Sequence, residues 1–562
     1  MIIHGATSVL LAQDVEAVIK APWVIANGGT AFNQIANFTD GNVRSPYSYF
    51  LSGNLNFNFL GVVNVPLSIA YSNQQFSSGY SLPFNRFSLS PSYKWVKLHA
   101  GYTSLQFSPY TLTGHEIFGG GVELTPGKFK FTAIYGQLKE AVPEQGGGTM
   151  PVYKRMGGGF KGEYTGERFG VSLNLFKAKD VAGSVHFYNP DSVAVLPQDN
   201  LSGSACLNLK ITDQLSLNTE YGMSAVNRNI LRSDNNNFAS ALFNNNGDVA
   251  VYHAIRSNLT HASSFGNIGA TYERVAPNYT TLGSYYMLSD FENITANFST
   301  AIKTINLSLD GGYQHDNLEK QKNNTTSRMI YATNISAPIG KKWNVGASFS
   351  NVQSYVHISD IYDQITQTNE FQNLDTLEYT QLNLTTSANA SYLLQNTEQQ
   401  RQSLSASFMY QQASEKQEYS AYQGNKIYNG ALTWQWAHVP SKWNISSSVN
   451  YNHNQLPASY TGTVSGNLSV QKTFVEVLRA GLIATYSHIF NNEQTTAKIV
   501  NLRLTSGYTL YKKHNFNLSI AAILNNGQNR KTQQYSAQLA YSYSFGVSLD
   551  RKNKKVVMEG NF

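Results

Sequence analysis

Charge is scarce in this chain. Asp, Glu, Lys and Arg make up only 13% of its 562 residues, against roughly 25% in ordinary soluble proteins. There is one cysteine, Cys206, which excludes an intramolecular disulfide framework. It stands in the run LSGSACLNLKI and reads as a packing residue, not a catalytic or redox thiol. No run of about 18 apolar residues exists outside the N-terminal stretch, which excludes spanning helices. Mean hydropathy is −0.31. The 41 Lys+Arg against 34 Asp+Glu give a net charge of +7. That is too mild to indicate nucleic acid, and no basic block with interleaved aromatics appears. Helical periodicity is almost absent, and neither H-E-x-x-H nor G-x-S-x-G occurs.

What the chain does have is aromatics, 12% of it with 35 Tyr and 29 Phe, set in two-residue alternation. In SAQLAYSYSFGVSLD, residues 536–550, the residues Leu539, Tyr541, Tyr543, Phe545, Val547 and Leu549 fall on one face. Ser536, Gln538, Ser542, Ser544 and Ser548 fall on the other, because successive strand side chains point to opposite faces. The same pattern recurs in NLNFNFL (54–60), RFGVSLNL (168–175), TINLSLDGGY (304–313), NISSSVNYNHN (444–454) and NFNLSIAAIL (515–524). Water-facing strands ordinarily carry Lys and Glu. Here the polar faces are Ser, Asn, Gly, Gln and Thr, which suit a crowded lumen, while the apolar stripes suit lipid.

Turns fall into two kinds. Tight ones are expected at 60–63, 94–97, 125–128, 165–168, 211–214, 264–267, 302–305, 339–342, 396–402, 439–442, 473–476 and 511–514. Longer polar connections alternate with them, the largest at 182–200, 226–250 and 353–378. Short turns on one side and long loops on the other are the mark of an outer-membrane barrel. Twelve hairpins plus an opening and a closing strand predict an all-β fold: a single large transmembrane antiparallel β-barrel of about 26 strands (24–28), with short periplasmic turns and long extracellular loops. The expected divisions are residues 1–12 as a truncated signal peptide, 13–27 as a short periplasmic segment, 28–549 as the barrel and 550–562 as a basic tail. The apolar stretch IIHGATSVLLA, with a cleavage point near Ala12–Gln13, supports export.

Three stretches resemble the large uncharacterised outer-membrane β-barrel family of Bacteroidota. They are LSPSYKWVKLHAGYTSLQFSPYTLTGHEIFGGGVELTP (89–126), PVYKRMGGGFKGEY (151–164) and YERVAPNYTTLGSYYMLSDFENIT (272–295). The resemblance runs from about residue 28 to the C-terminus. It implies export and outer-membrane placement, and it brings no catalytic or ligand motif with it. The last strand also resembles the assembly signal of outer-membrane barrels, with Tyr541, Tyr543 and Phe545 alternating and Phe562 at the end; the intervening basic tail departs from that pattern.

The motif search yields no catalytic, cofactor-binding or metal residues. Gly157, Gly159 and Gly162 have the G-x-G-x-x-G spacing, but a dinucleotide site needs a helix to follow, and these glycines read as places where another backbone approaches inside a barrel. His115 and Glu116 are adjacent, which puts them on opposite faces of a strand, and His315 and Asp316 sit near a strand end. Asp360, Asp363, Glu370, Asp375 and Glu378 lack the order of a calcium loop and read as a solvated loop. Lys341, Lys342, Lys442, Lys512 and Lys513 cluster in tight turns, within reach of lipid headgroups.

A barrel this wide standing open would leak, so something must fill it. The expectation is a non-enzymatic translocation, transport or surface-display barrel in the bacterial outer membrane, its lumen filled by loops or a partner protein. Its partners would be membrane lipid, a secreted protein or surface lipoprotein, and the barrel-assembly machinery during insertion. Two alternatives stand beside it: a porin-like channel closed down by loops 226–250 and 353–378, and a structural or adhesive surface barrel.

Overall fold

The computed structural model describes residues 21–39, 46–73, 85–143, 151–185, 195–231, 249–322, 325, 327–351, 354–355, 381–382, 384–415, 423–456, 458–528, 531–549 and 556–558. Almost all of them are strand. In chain order these are β1 (Val24–Thr39), β2 (Tyr47–Phe59), β3 (Val63–Ser72), β4 (Arg86–Leu89, resumed at Ser92–Tyr93), β5 (Val96–Thr103), β6 (Ile117–Leu124), β7 (Phe129–Lys139), β8 (Arg155–Thr165) and β9 (Phe169–Asp180). There follow β10 (Asp199–Lys210), β11 (Leu215–Asn227), β12 (Val249–Ser263), β13 (Gly266–Val275), β14 (Phe291–Ile302), β15 (Ile305–His315), β16 (Ser327–Ile339), β17 (Trp343–Ser350) and β18 (Leu384–Asn396). The last are β19 (Gln400–Glu415), β20 (Gln423–His438), β21 (Trp443–Gln455), β22 (Tyr460–Val475), β23 (Leu478–Asn491), β24 (Gln494–Leu510), β25 (His514–Gly527) and β26 (Lys531–Leu549).

Every strand pairs antiparallel with its chain neighbours, and β1 pairs with β26 from Val24↔Leu549 to Thr39↔Gln534. The sheet therefore closes as a 26-stranded antiparallel barrel. Closure follows from the solvent outside: hydrocarbon cannot satisfy an open strand edge, so every backbone N–H and C=O must find a partner within the sheet. The wall begins at Val24, not at the expected Gly28, and from the basic tail Val556–Met558 adds a short pairing to Val547–Leu549. The expected signal segment and Phe562 lie outside the described residues.

Register fixes the faces. Leu173, Leu175, Phe160, Leu482, Leu504 and Ile520 point outward and are exposed; a water-soluble protein would bury such side chains, whereas lipid covers them. This is the construction of an outer-membrane barrel. The twelve tight turns all lie at one end. Trp95, Trp343, Phe474 and Tyr511 are exposed beside them, and the Lys472 ammonium sits 4.8 Å from the ring of half-buried Trp443 and 5.3 Å from that of Phe474. Aromatics and snorkelling lysines at one level mark the membrane–water interface.

The opposite end departs from expectation in one respect. Its connections are long over the first twenty strands, but the final strands are joined tightly there too, as between Asn491 and Gln494. Asn492 and Glu493 both have positive φ, 46° and 67°, the geometry of a two-residue I′ hairpin. The wall is weakest at β4, where Ser90 and Pro91 interrupt the strand and Ser90 N–H instead reaches the Pro66 carbonyl at 3.0 Å; proline removes ladder donors on both sides.

Candidate functional site: a two-loop plug in the lumen

Two connections turn inward: residues 104–116, between β5 and β6, and residues 276–290, between β13 and β14. They meet on the inner wall of β7–β13. Sequence chemistry explains the inward turn. These segments carry Phe107, Tyr110, Leu112, Tyr279 and Leu282, all buried, where a solvated loop carries Asn and Asp. Burying such side chains is favourable by about 1.5–3 kcal/mol each.

The loops bind each other through the backbone. Leu112 bridges Gly283 in parallel, and Thr113 N–H donates to the Gly283 carbonyl at 3.1 Å. The Thr281 hydroxyl donates to the Thr111 carbonyl at 2.6 Å and the Tyr279 hydroxyl to the Tyr110 carbonyl at 2.9 Å. His115 stacks on Tyr285 with ring centroids 3.8 Å apart. They bind the wall by apolar packing, with Phe107, Leu112 and Leu282 against Ile134, Leu138 and Phe176, and by polar contacts. Ser108 donates to the Glu220 carboxylate, Tyr110 to Glu273 at 2.9 Å, and the Lys161 ammonium to the Phe107 carbonyl at 3.2 Å. Asn200 accepts from Leu282 N–H at 3.0 Å, and Ser224 donates to the Thr280 carbonyl at 2.6 Å. Burial, followed by the Glu273 carboxylate, holds the Tyr110 phenol above its ordinary pKa, so it remains a hydrogen-bond donor at physiological pH.

Glycines make room for this docking. A Cβ on Gly222 would lie 2.7 Å from Tyr110 Cβ, and one on Gly159 would lie 2.7 Å from the Phe107 ring. Of the G-x-G-x-x-G glycines, Gly159 is the one against the plug, whereas a Cβ on Gly162 would meet the outward Phe160 and Phe131 rings. The three stretches singled out by resemblance, 89–126, 151–164 and 272–295, converge on this one assembly.

The remaining histidines, carboxylates and cysteine named from the sequence lie apart. His115 and Glu116 lie in the first plug loop, not on a strand as expected; the former stacks on Tyr285, and the latter forms an ion pair with Arg86 at 2.8 Å. Cys206 is half-buried beside Asn208 and Asn218. His315 ends β15. Asp360, Asp363, Glu370, Asp375 and Glu378, and the larger part of the expected stoppers 226–250 and 353–378, lie outside the described residues. Among the described residues no group of three His, Cys, Asp or Glu side chains could hold a metal.

The lumen is electrostatically divided. Inward charges concentrate on the strands beneath the plug: Glu123 between Lys97 and Lys130, Lys161 with Glu163, and Arg155 with Asp180. The opposite wall is mostly neutral, with Asp310, Arg479 and Arg503 among the exceptions. A hollow of ≈ 770 Å³ there is lined by Asn306, Ser308, Asn334, Ser336, Asn344 and Ser348 among others.

A latch closes the second loop at the rim. Asp290 accepts from Lys322 at 2.5 Å and from Leu318 N–H at 2.9 Å. Partial burial opposes ionisation of Asp290, but these donors outweigh it and lower its pKa, while Asp290 raises that of Lys322. A depressed carboxylate contributes stability above its unfolded value, about 3.9, and loses it as pH falls through the folded value. The raised lysine contributes below about 10.4 and loses its contribution as pH rises through its own folded value. The hydrogen-exchange protection of the Leu318 amide, held by Asp290, is therefore expected to stay constant between these limits and to fall below about pH 4. Asp290→Asn should show the lowered protection already at neutral pH.

No family model matches the sequence, and no curated protein matches it. Solved structures do. The P pilus usher PapC translocation pore is similar over 92% of this chain and 99% of its own, at 10% identity and a TM-score of 0.36. The usher in an E. coli P pilus tip assembly intermediate, PapC-PapD-PapK-PapG, is similar over 96% of this chain, which spans 62% of that one, at 11% identity and a TM-score of 0.44. The copper transporter OprC is similar over 93% of this chain and 81% of its own, at 10% identity and a TM-score of 0.40.

Proposed function

We propose that the chain is an outer-membrane transport or translocation barrel that passes a polar, extended cargo along its neutral wall, beside a resident two-loop plug. The observation that carries this reading is the division of the lumen. One wall is covered by loops docked through apolar packing and many polar contacts, each of the latter worth about 0.5–1.5 kcal/mol net. The other wall offers Asn and Ser side chains that a moving polypeptide can hydrogen-bond without being trapped by charge. A secreted polypeptide or the tether of a surface lipoprotein is the cargo that this surface suits. The convergence of the three resembling stretches on the plug supports kinship with the Bacteroidota barrels, and the outward Tyr541, Tyr543 and Phe545 support recognition by the assembly machinery.

A porin-like channel is the second reading, favoured by the accessibility of the neutral wall, where Ser299 and Asn306 are exposed. Planar-bilayer recording separates the two. Translocation predicts near-silence that an unfolded, uncharged polar peptide converts to blocked or stepped current, whereas a steady ohmic conductance indifferent to peptide would establish the porin.

A further inference from the structure

We propose that the outer wall of β7–β9 binds one phosphate-bearing lipid of the outer leaflet, its acyl chain in a groove over Gly158 and its phosphate against Lys179. The proposal rests on the lipid-facing reading of the outer wall and is independent of what crosses the lumen.

The groove measures ≈ 950 Å³, in the range of specific ligand sites. Its position follows from register. Ala133, Phe160 and Leu175 are ladder neighbours on the lipid-facing side. One step farther from the tight turns, the outward row is Tyr135, Gly158 and Lys177, and the next is Met156 and Lys179. Gly158 therefore leaves a notch in an otherwise bulky wall. Tyr135, 65% exposed, forms its side, and a Cβ on Gly158 would come within 2.7 Å of that ring. Leu231, 61% exposed, overhangs the far end from the connection after β11.

Charge sets the level and the headgroup. An outward lysine costs about 2–4 kcal/mol at the bilayer midplane but only about 0–1 near an interface, so Lys177 and Lys179 mark the headgroup depth. Lys177 lies 3.5 Å from Asp199, which is also the ladder partner of Lys179. Two outward lysines thus share one carboxylate, which leaves one positive charge in surplus at the mouth of an apolar groove. An apolar slot ending in a cation at headgroup depth is complementary to an acyl chain ending in a phosphate.

Native mass spectrometry of the full chain, folded in uncharged detergent and titrated with lipid A and with the same lipid stripped of phosphate, tests this. The wild type should retain the phosphorylated lipid about fivefold more, the factor that roughly 1 kcal/mol per lysine gives. Lys179→Gln should abolish the preference and Lys179→Arg should keep it, with heat-modifiable electrophoretic mobility reporting that each variant is folded. Leu231→Asp, which leaves the lysines intact, should lower retention of both lipids. Equal retention of the two lipids by wild type, or an unchanged preference in Lys179→Gln, overturns the phosphate assignment. Unchanged retention in Leu231→Asp overturns the groove. Displacement of the lipid by excess inorganic phosphate would show that the lysine reads a free anion and would overturn the lipid assignment, whereas resistance to displacement supports it.

Discussion

Cutting Tyr110 to alanine should undock the plug and raise single-channel conductance severalfold. The tyrosine is 1% exposed. Its ring lies on Gly222 and meets Tyr279 edge-on at 6.0 Å, its hydroxyl reaches Glu273, and its carbonyl receives the Tyr279 hydroxyl. Truncating a buried aromatic costs about 3–5 kcal/mol, and Glu273 also loses its donor. The backbone bonds between the loops would survive, but the second cluster of the plug would be gone, leaving the pair held by Phe107, Leu112 and Leu282 and by Ser108, Lys161, Asn200 and Ser224. The barrel itself should persist, because no ladder bond passes through Tyr110. Planar-bilayer recording gives the conductance, and heat-modifiable mobility gives the state of the wall. Replacing residues 106–113 by a short Gly/Ser link should open the channel further. Conductance unchanged in both variants would mean that these loops do not obstruct the passage. Gly222→Leu approaches the same interface from the wall, since even a Cβ there meets Tyr110, and it should behave like Tyr110→Ala.

The wall was legible in the sequence and the plug was not, for one physical reason. Strand alternation and turn chemistry are local: Leu539, Tyr541 and Tyr543 announce a lipid face, and Lys-rich tight turns announce hairpins, so strand number and facing follow. Docking of two loops 169 residues apart, as in Tyr279 to Tyr110, leaves no periodic trace. Long polar loops drew attention as stoppers because length suggests volume. The informative signal was composition. TSLQFSPYTLTGHE and APNYTTLGSYYMLSD place aromatic and apolar residues where a solvated loop would have Asn and Asp. Their counterpart was the run GGGFKG, with small residues inside a wall that elsewhere alternates bulky with polar. His115 and Glu116 were misplaced for a related reason. The strand starts only at Ile117, and His115 is held by Tyr285 rather than by the ladder.

The lipid-facing assignment makes the sharpest demand on neighbouring residues. Leu504 and Thr505 are adjacent on β24, and alternation sends them to opposite faces. Leu504 is 53% exposed and lies outward beside Leu482 and Ile520. Tyr508, exposed nearer the tight turn, marks the interface, which places Leu504 near the hydrocarbon midplane. Arginine there is expected to destabilise the folded barrel by about 2–4 kcal/mol, read as a lowered urea midpoint in lipid vesicles. Thr505 faces the lumen, where its hydroxyl meets the Gly481 carbonyl at 3.3 Å and Arg503 already tolerates charge on the same face. Arginine at 505 should cost little beyond that hydrogen bond, about 1 kcal/mol. In a water-soluble double layer the ranking would reverse, since an exposed leucine accepts arginine and an inward threonine does not. Equal effects at the two positions would mean that the two faces of β24 meet the same medium, which a closed barrel in a bilayer forbids.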